Sequence, residues 1–216
     1  MRTEPMGIEL QIALDFGNFE EVVALAERLE RFADRVEIGT PLVLRYGVEL
    51  VRVVKDTCPN CCIVADFKIA DAGEHEARIG FDRGADVVTV LAAADDQTVA
   101  GCVRAARDTG KRVMGDLLGQ ADVVGRAEAL RSLGVDEVCL HTATDTRPSG
   151  AEPLAPLQEL RERVDVSIAV AGGIGADALP ALLACGPDII IVGSAITRDA
   201  DPAGTAAELL KLIREA

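Results

Sequence analysis

The stretch ADFKIADAG, residues 65–73, follows directly on the apolar run Cys62-Ile63-Val64. Asp66, Lys68 and Asp71 form a D-x-K-x-x-D pattern at the end of what reads as a buried strand. Unpaired charge is costly inside a strand covered on both faces. Three charges at the C-terminal end therefore suit a fold that buries strand middles and opens strand ends to a site, as helix-covered parallel sheets do.

Working outward from this segment, short apolar runs alternate with amphipathic stretches along the whole chain. Strands are predicted at 8–14, 34–38, 62–66, 86–91, 112–116, 136–141, 166–171 and 188–192. Helices are predicted near 19–31, 43–56, 73–83, 96–109, 121–133, 153–163, 176–185 and 202–215. Gly84, Gly110, Gly134 and Gly186 each fall between a helix and the next strand, where helix stops belong. Strict alternation implies a parallel sheet, and closing all the units gives a single (β/α)8 TIM barrel spanning residues 1–216. A doubly wound sheet would want a glycine-rich turn after its first strand. The chain has Asp15-Phe16-Gly17-Asn18 there instead.

Composition narrows the class of function. Of 216 residues, 49% are hydrophobic and 27% charged, which fits a globule with a sizeable core. Aromatic residues are scarce at 3%, so Val, Ile, Leu and Ala must build that core. A net charge of -14 without a basic cluster argues against nucleic acid. No run of 18 apolar residues and no signal peptide is seen, so a cytoplasmic protein away from membranes is expected. Cys58, Cys61 and Cys62 contain a C-x-x-C, but no second ligand pair accompanies it as structural zinc would require. Cys102, Cys139 and Cys185 read as core cysteines.

In such a barrel the C-terminal strand ends face the active site. The predicted strands end at Asp15, Glu37, Asp66 with Lys68, Asp116, His141, Gly172-Gly173 and Gly193-Ser194. Glu37 and Asp66, on adjacent strands, offer the hard oxygen ligands that Mg²⁺ accepts. Lys68 can stabilise a developing oxyanion, and His141 can move protons near neutrality. The paired glycines of the seventh and eighth loops let backbone N–H groups approach a phosphate. Together these suit enolate chemistry on a sugar phosphate. The residues alone do not separate aldol addition, decarboxylation and isomerisation.

The segment DFKIAD resembles the signature of the orotidine 5′-monophosphate decarboxylase superfamily. Within it, ALD (13–15), VEIGTPL (36–42), ADFKIADAGE (65–74), GADVVTVLAAADDQTVAG (84–101), HTATD (141–145), VAGGI (170–174) and VGSAI (192–196) resemble the 3-hexulose-6-phosphate synthase group. The resemblance implies a Mg²⁺-dependent aldol condensation of formaldehyde with ribulose 5-phosphate, through a metal-bound 1,2-enediolate. It assigns the metal to Glu37 and Asp66, the enediolate contact to Lys68 and the acid/base role to His141. Asp15 and Asp116 match substrate-hydroxyl binders, and Gly172, Gly173, Gly193 and Ser194 the phosphate loops. Asp71 matches an acid that enters the partner's site across a two-fold homodimer. The nearest alternative pattern, that of 3-keto-L-gulonate 6-phosphate decarboxylase, carries Arg where this chain has Thr144, Glu for Asp116 and Arg for Ser194.

Overall fold

The computed structural model describes residues 7–145 and 153–216. Its strands are β1 (Glu9–Leu14), β2 (Arg35–Ile38), β3 (Cys62–Ile69), β4 (Val87–Leu91), β5 (Arg112–Asp116), β6 (Glu137–His141), β7 (Ser167–Ala171) and β8 (Ile189–Val192). Each pairs in parallel with the next, and β8 returns to β1, closing the barrel that the alternation predicts. Residues of alternate parity separate into two cores, as the two-residue period of a strand demands. Ala13, Val64, Val87, Met114, Cys139, Ala169, Ile189 and Ile191 fill the interior. Their neighbours, among them Ile12, Ile63, Ala65, Val88, Val113 and Ile190, face outward into the shell of helices.

The helices are α1 (Phe19–Leu29), α2 (Thr40–Tyr46), α3 (Glu49–Thr57), α4 (Gly73–Asp82), α5 (Asp96–Thr109), α6 (Val123–Leu133), α7 (Leu154–Arg163), α8 (Leu179–Ala184), α9 (Ser194–Thr197) and α10 (Pro202–Arg214). Local chemistry explains their starts. Asn18 and Glu21 make a reciprocal capping box on α1, and Asp95 caps α5 through the Gln97 amide. Val22, Ala26 and Leu29 place the buried stripe of α1 at helical spacing. Burying each such Val or Leu stabilises the fold by about 1.5–3 kcal/mol.

Four boundaries differ from expectation. The predicted helix at 43–56 is two helices, because Gly47 takes φ 72 and stops α2 before α3 begins. The pattern at 176–185 yields only Leu179–Ala184, and the short α9 follows β8 unannounced. The expected end of β3 at Asp66 is also corrected. The strand runs on to Ile69, while Ala65 pairs with Val88 and Ile69 with Val90. Four steps along β3 thus match two along β4, a bulge of two surplus residues.

The N-terminal end of the barrel is held by ion pairs. Arg35 is fully buried, and its Nη2 donates to Glu137 at 2.7 Å. Arg112 Nη1 donates to the other Glu137 oxygen at 2.6 Å. Asp86 accepts from Lys55 at 2.8 Å, Lys111 at 2.6 Å and the Ile63 amide at 3.0 Å. The Cys58 and Cys61 thiols are pushed up to about 11 and about 12, first by burial. They are free thiols that stay protonated.

Candidate active site

At the opposite end a cavity of about 610 Å³ opens, lined from every strand of the barrel. The β3 bulge builds its centre. Lys68 adopts the left-handed region at φ 48, which is unfavourable for a side-chain-bearing residue and persists where the surrounding structure holds it. Thr89 on β4 holds the distortion in place. Its hydroxyl accepts the Lys68 amide at 2.9 Å and donates to Asp66 Oδ1 at 2.8 Å.

Lys68 Nζ lies 2.6 Å from Asp66 Oδ2 and 3.1 Å from Asp116 Oδ2, bridging the two strand ends. Thr40 Oγ1 also reaches Asp66 Oδ2, at 2.7 Å. His141 Nδ1 is 3.1 Å from Asp116 Oδ2 and 3.3 Å from Oδ1, so the chain of contacts runs Asp66–Lys68–Asp116–His141. Burial alone would lower the Lys68 ammonium, but Asp66 and Asp116 reverse this and raise it. Lys68 is thus a fixed cation and hydrogen-bond donor rather than a base. Asp116, though buried, is held below the carboxylate range by the hydrogen bond and charge of His141 and by Lys68.

Glu37 lies deeper than its predicted strand-end position. It sits within β2, level with Ala13 and Val64, one interior layer below Asp66. Gln11 Nε2 donates to Glu37 Oε2. Burial first, then Asp66 and Asp15, raise Glu37 to about 8. Asp15 is raised as well, by burial and then by Asp66, against Lys68, His141 and Arg198. Room for the Asp15 carboxylate exists because residue 39 is glycine. A Cβ there would collide with Asp15 Oδ1.

Gly172, Gly173, Gly193 and Ser194 all line the cavity, as do Thr144 and Asp145 of the HTATD segment. Asp71 does not. It is exposed, and its Oδ1 accepts the amide of left-handed Ala72 at 2.7 Å. Within one chain the D-x-K-x-x-D pattern is therefore split, with Asp66 and Lys68 inside and Asp71 outside. Among the lining or supporting residues that sequence reasoning missed are Gln11, Phe16, Thr40, Thr89, Asp145 and Arg198. Gln11 had a visible signal, as a lone amide between apolar neighbours at an inward position of β1. Among the described residues no three His, Cys, Asp or Glu side chains form a metal-ligand cluster. No described helix is long and apolar enough to cross a membrane.

Comparison with known proteins fits this geometry. The profile of the orotidine 5′-phosphate decarboxylase / HUMPS family matches residues 9–209. The 3-hexulose-6-phosphate synthase of Bacillus subtilis is 39% identical over 207 residues, covering 95% of this chain and 99% of that protein. The crystal structure of 3-hexulose-6-phosphate synthase from Salmonella typhimurium superposes with a TM-score of 0.92 at 37% identity, covering 96% of this chain and 99% of that one. The 3-keto-L-gulonate-6-phosphate decarboxylase of Vibrio cholerae gives 0.88 at 28% identity, over 97% and 99% of the two chains. Like its synthase relatives this chain is an enzyme, a carbon–carbon lyase. With a matching profile over nearly its whole length, the chain belongs to the orotidine 5′-phosphate decarboxylase / HUMPS family.

Proposed function

We propose that the enzyme adds formaldehyde to D-ribulose 5-phosphate, giving hex-3-ulose 6-phosphate through a 1,2-enediolate. The observation that carries this reading is Lys68, placed by its bulge between Asp66 and Asp116 with His141 beyond. His141 Nε2, left over when Nδ1 engages Asp116, takes a proton from C1 of the ketose. The electron pair moves into the C1–C2 bond, and the C2 carbonyl oxygen becomes an oxyanion facing the Lys68 ammonium. C1 then attacks the formaldehyde carbon. The former aldehyde oxygen takes the proton back from His141, and the ketone re-forms.

Asp15 and Asp116 would accept hydrogen bonds from sugar hydroxyls, and backbone amides at Gly172, Gly173, Gly193 and Ser194 would meet the phosphate. A divalent cation fits the donor set. Glu37 is raised first by burial and then by the charges of Asp66 and Asp15, and a hard cation would offset that repulsion. Glu37 and Asp66 would hold Mg²⁺, with water or substrate oxygens filling the remaining positions. The chemistry supplied by Mg²⁺ when bound is Lewis-acid polarisation of the ketone.

Decarboxylation of 3-keto-L-gulonate 6-phosphate is the second reading, since that reaction also calls for an enediolate. Thr144, Asp116 and Ser194 all line the cavity and are the three residues that depart from the decarboxylase pattern, which favours aldol addition. An assay with ribulose 5-phosphate, formaldehyde and Mg²⁺ is expected to yield hexulose phosphate. Turnover of the ketogulonate phosphate alone would refute the proposal. Asp71, exposed and outside its own cavity, is proposed to serve the partner's site in a two-fold dimer. A fully active monomer in sedimentation would exclude that role.

A further inference from the structure

Acidic side chains outnumber basic ones among the described residues of the cavity. Asp15, Glu37, Asp66, Asp116 and Asp145 line it, while among the described residues its only lining Lys or Arg side chains are those of Lys68 and Arg198. Lys68 is committed to two carboxylates. Arg198 is less committed: its charge acts on Asp15, but no ion pair or side-chain hydrogen bond holds its guanidinium among the described residues. It stands immediately after α9, with its amide on the Ser194 carbonyl at 3.1 Å. Its side chain reaches across to the loop after β1, where its Cζ lies 3.7 Å over the centre of the Phe16 ring. Phe16 is itself 47% exposed beside Asp15, so its ring face is open to the guanidinium.

A guanidinium stacked on a ring face keeps its in-plane N–H donors free. Those donors form the planar fork that matches phosphate oxygens. Arg198 is thus held at the mouth and oriented, next to the loop that bears Gly193 and Ser194.

We infer that Arg198, parked on Phe16, is the charge that recognises the phosphate dianion of the substrate in this cavity. The inference deepens the sugar-phosphate reading and rests on it. Arg198 acts on binding rather than on the reacting carbons, so its loss should appear in KM and leave kcat nearly untouched. Phe16 is a positioning residue. Its replacement by leucine should raise KM only a few-fold, because the exposed cation–π contact is modest.

The test has two arms. Titration calorimetry with inorganic phosphate on the wild-type protein and on Arg198→Met and Arg198→Lys reads the site directly. Affinity should fall about 10- to 100-fold in the methionine variant, the range of a charged hydrogen-bond pair, with lysine in between. Unchanged phosphate affinity in Arg198→Met overturns the inference, whatever the enzyme turns over. Steady-state kinetics with ribulose 5-phosphate and formaldehyde should show the same factor in KM. A kcat that falls with KM unchanged also overturns it. If the wild-type enzyme turns over no ribulose 5-phosphate yet loses phosphate binding with Arg198, the functional reading fails and the phosphate site stands.

Discussion

At the N-terminal end of the barrel, Glu137 is clasped by Arg35 at 2.7 Å and Arg112 at 2.6 Å, and Asp86 takes two lysines and an amide. At the C-terminal end the same strands raise Asp15, Glu37, Asp66 and Asp116 around one committed lysine, and burial drives Asp15 and Glu37 upward. Each end is interior and charged, but only the first is balanced. Charge that is paired holds the barrel together. Charge left in excess waits for a cation and a substrate, and costs stability until they arrive.

The contrast can be broken from either side. Lys68→Ala should cost the most, with turnover falling about a thousand-fold or more because the oxyanion loses its fixed donor. Circular dichroism should still report a folded barrel, and retained activity would refute the role of Lys68. Glu137→Ala should act in the opposite way. It leaves the fully buried Arg35 with only a 3.5 Å contact to Glu9, so urea denaturation should show a loss of up to about 3–5 kcal/mol. Turnover per folded molecule should hold, and a change in kcat would show that the two ends are coupled.

Asp86→Asn is the mildest, at about 1–2 kcal/mol. Burial would raise the Asp86 carboxyl, but the Ile63 amide, Lys111 and Lys55 hold it below its ordinary value. A depressed acid stabilises above its unfolded pKa and loses that contribution as pH falls through the folded one. Wild type and variant should therefore differ at pH 7, with the gap starting to close only below about pH 4 and narrowing further as pH falls through the lowered folded value. A gap that does not narrow at all from pH 7 down to the acid limit of folding would show that Asp86 acts through packing instead of charge.

Much of the barrel was legible because its signals are local. Apolar runs of strand length, amphipathic stretches and glycine stops recur in order, and Asp116 and His141 close their strands as expected, while Asp66 and Lys68 lie before the end of β3. What escaped depends on register between strands. Thr89 lies in VVTVL, where threonine looks like any β-branched strand former. Its grip on Lys68 exists only because β3 bulges beside it. Arg198 follows a four-residue helix without a sequence signature, and its meeting with Phe16 is made by closure of β8 on β1. Leu44, 83% exposed, would not have been placed outside by hydropathy at all.

The bulge in β3 also sets a rule of parity. Two surplus residues are an even number, so Ile69 returns to the same outward face as Ala65 and stays in the helix-facing core. Removing one residue between them would turn Ile69 into the cavity and unseat the core at once. Removing Phe67 and Lys68 together would keep the frame and leave a barrel able to close, but without its lysine. The segment thus behaves like a coding phase, in which losses of one and of two have different consequences. A closed but chemically silent barrel is two residues away.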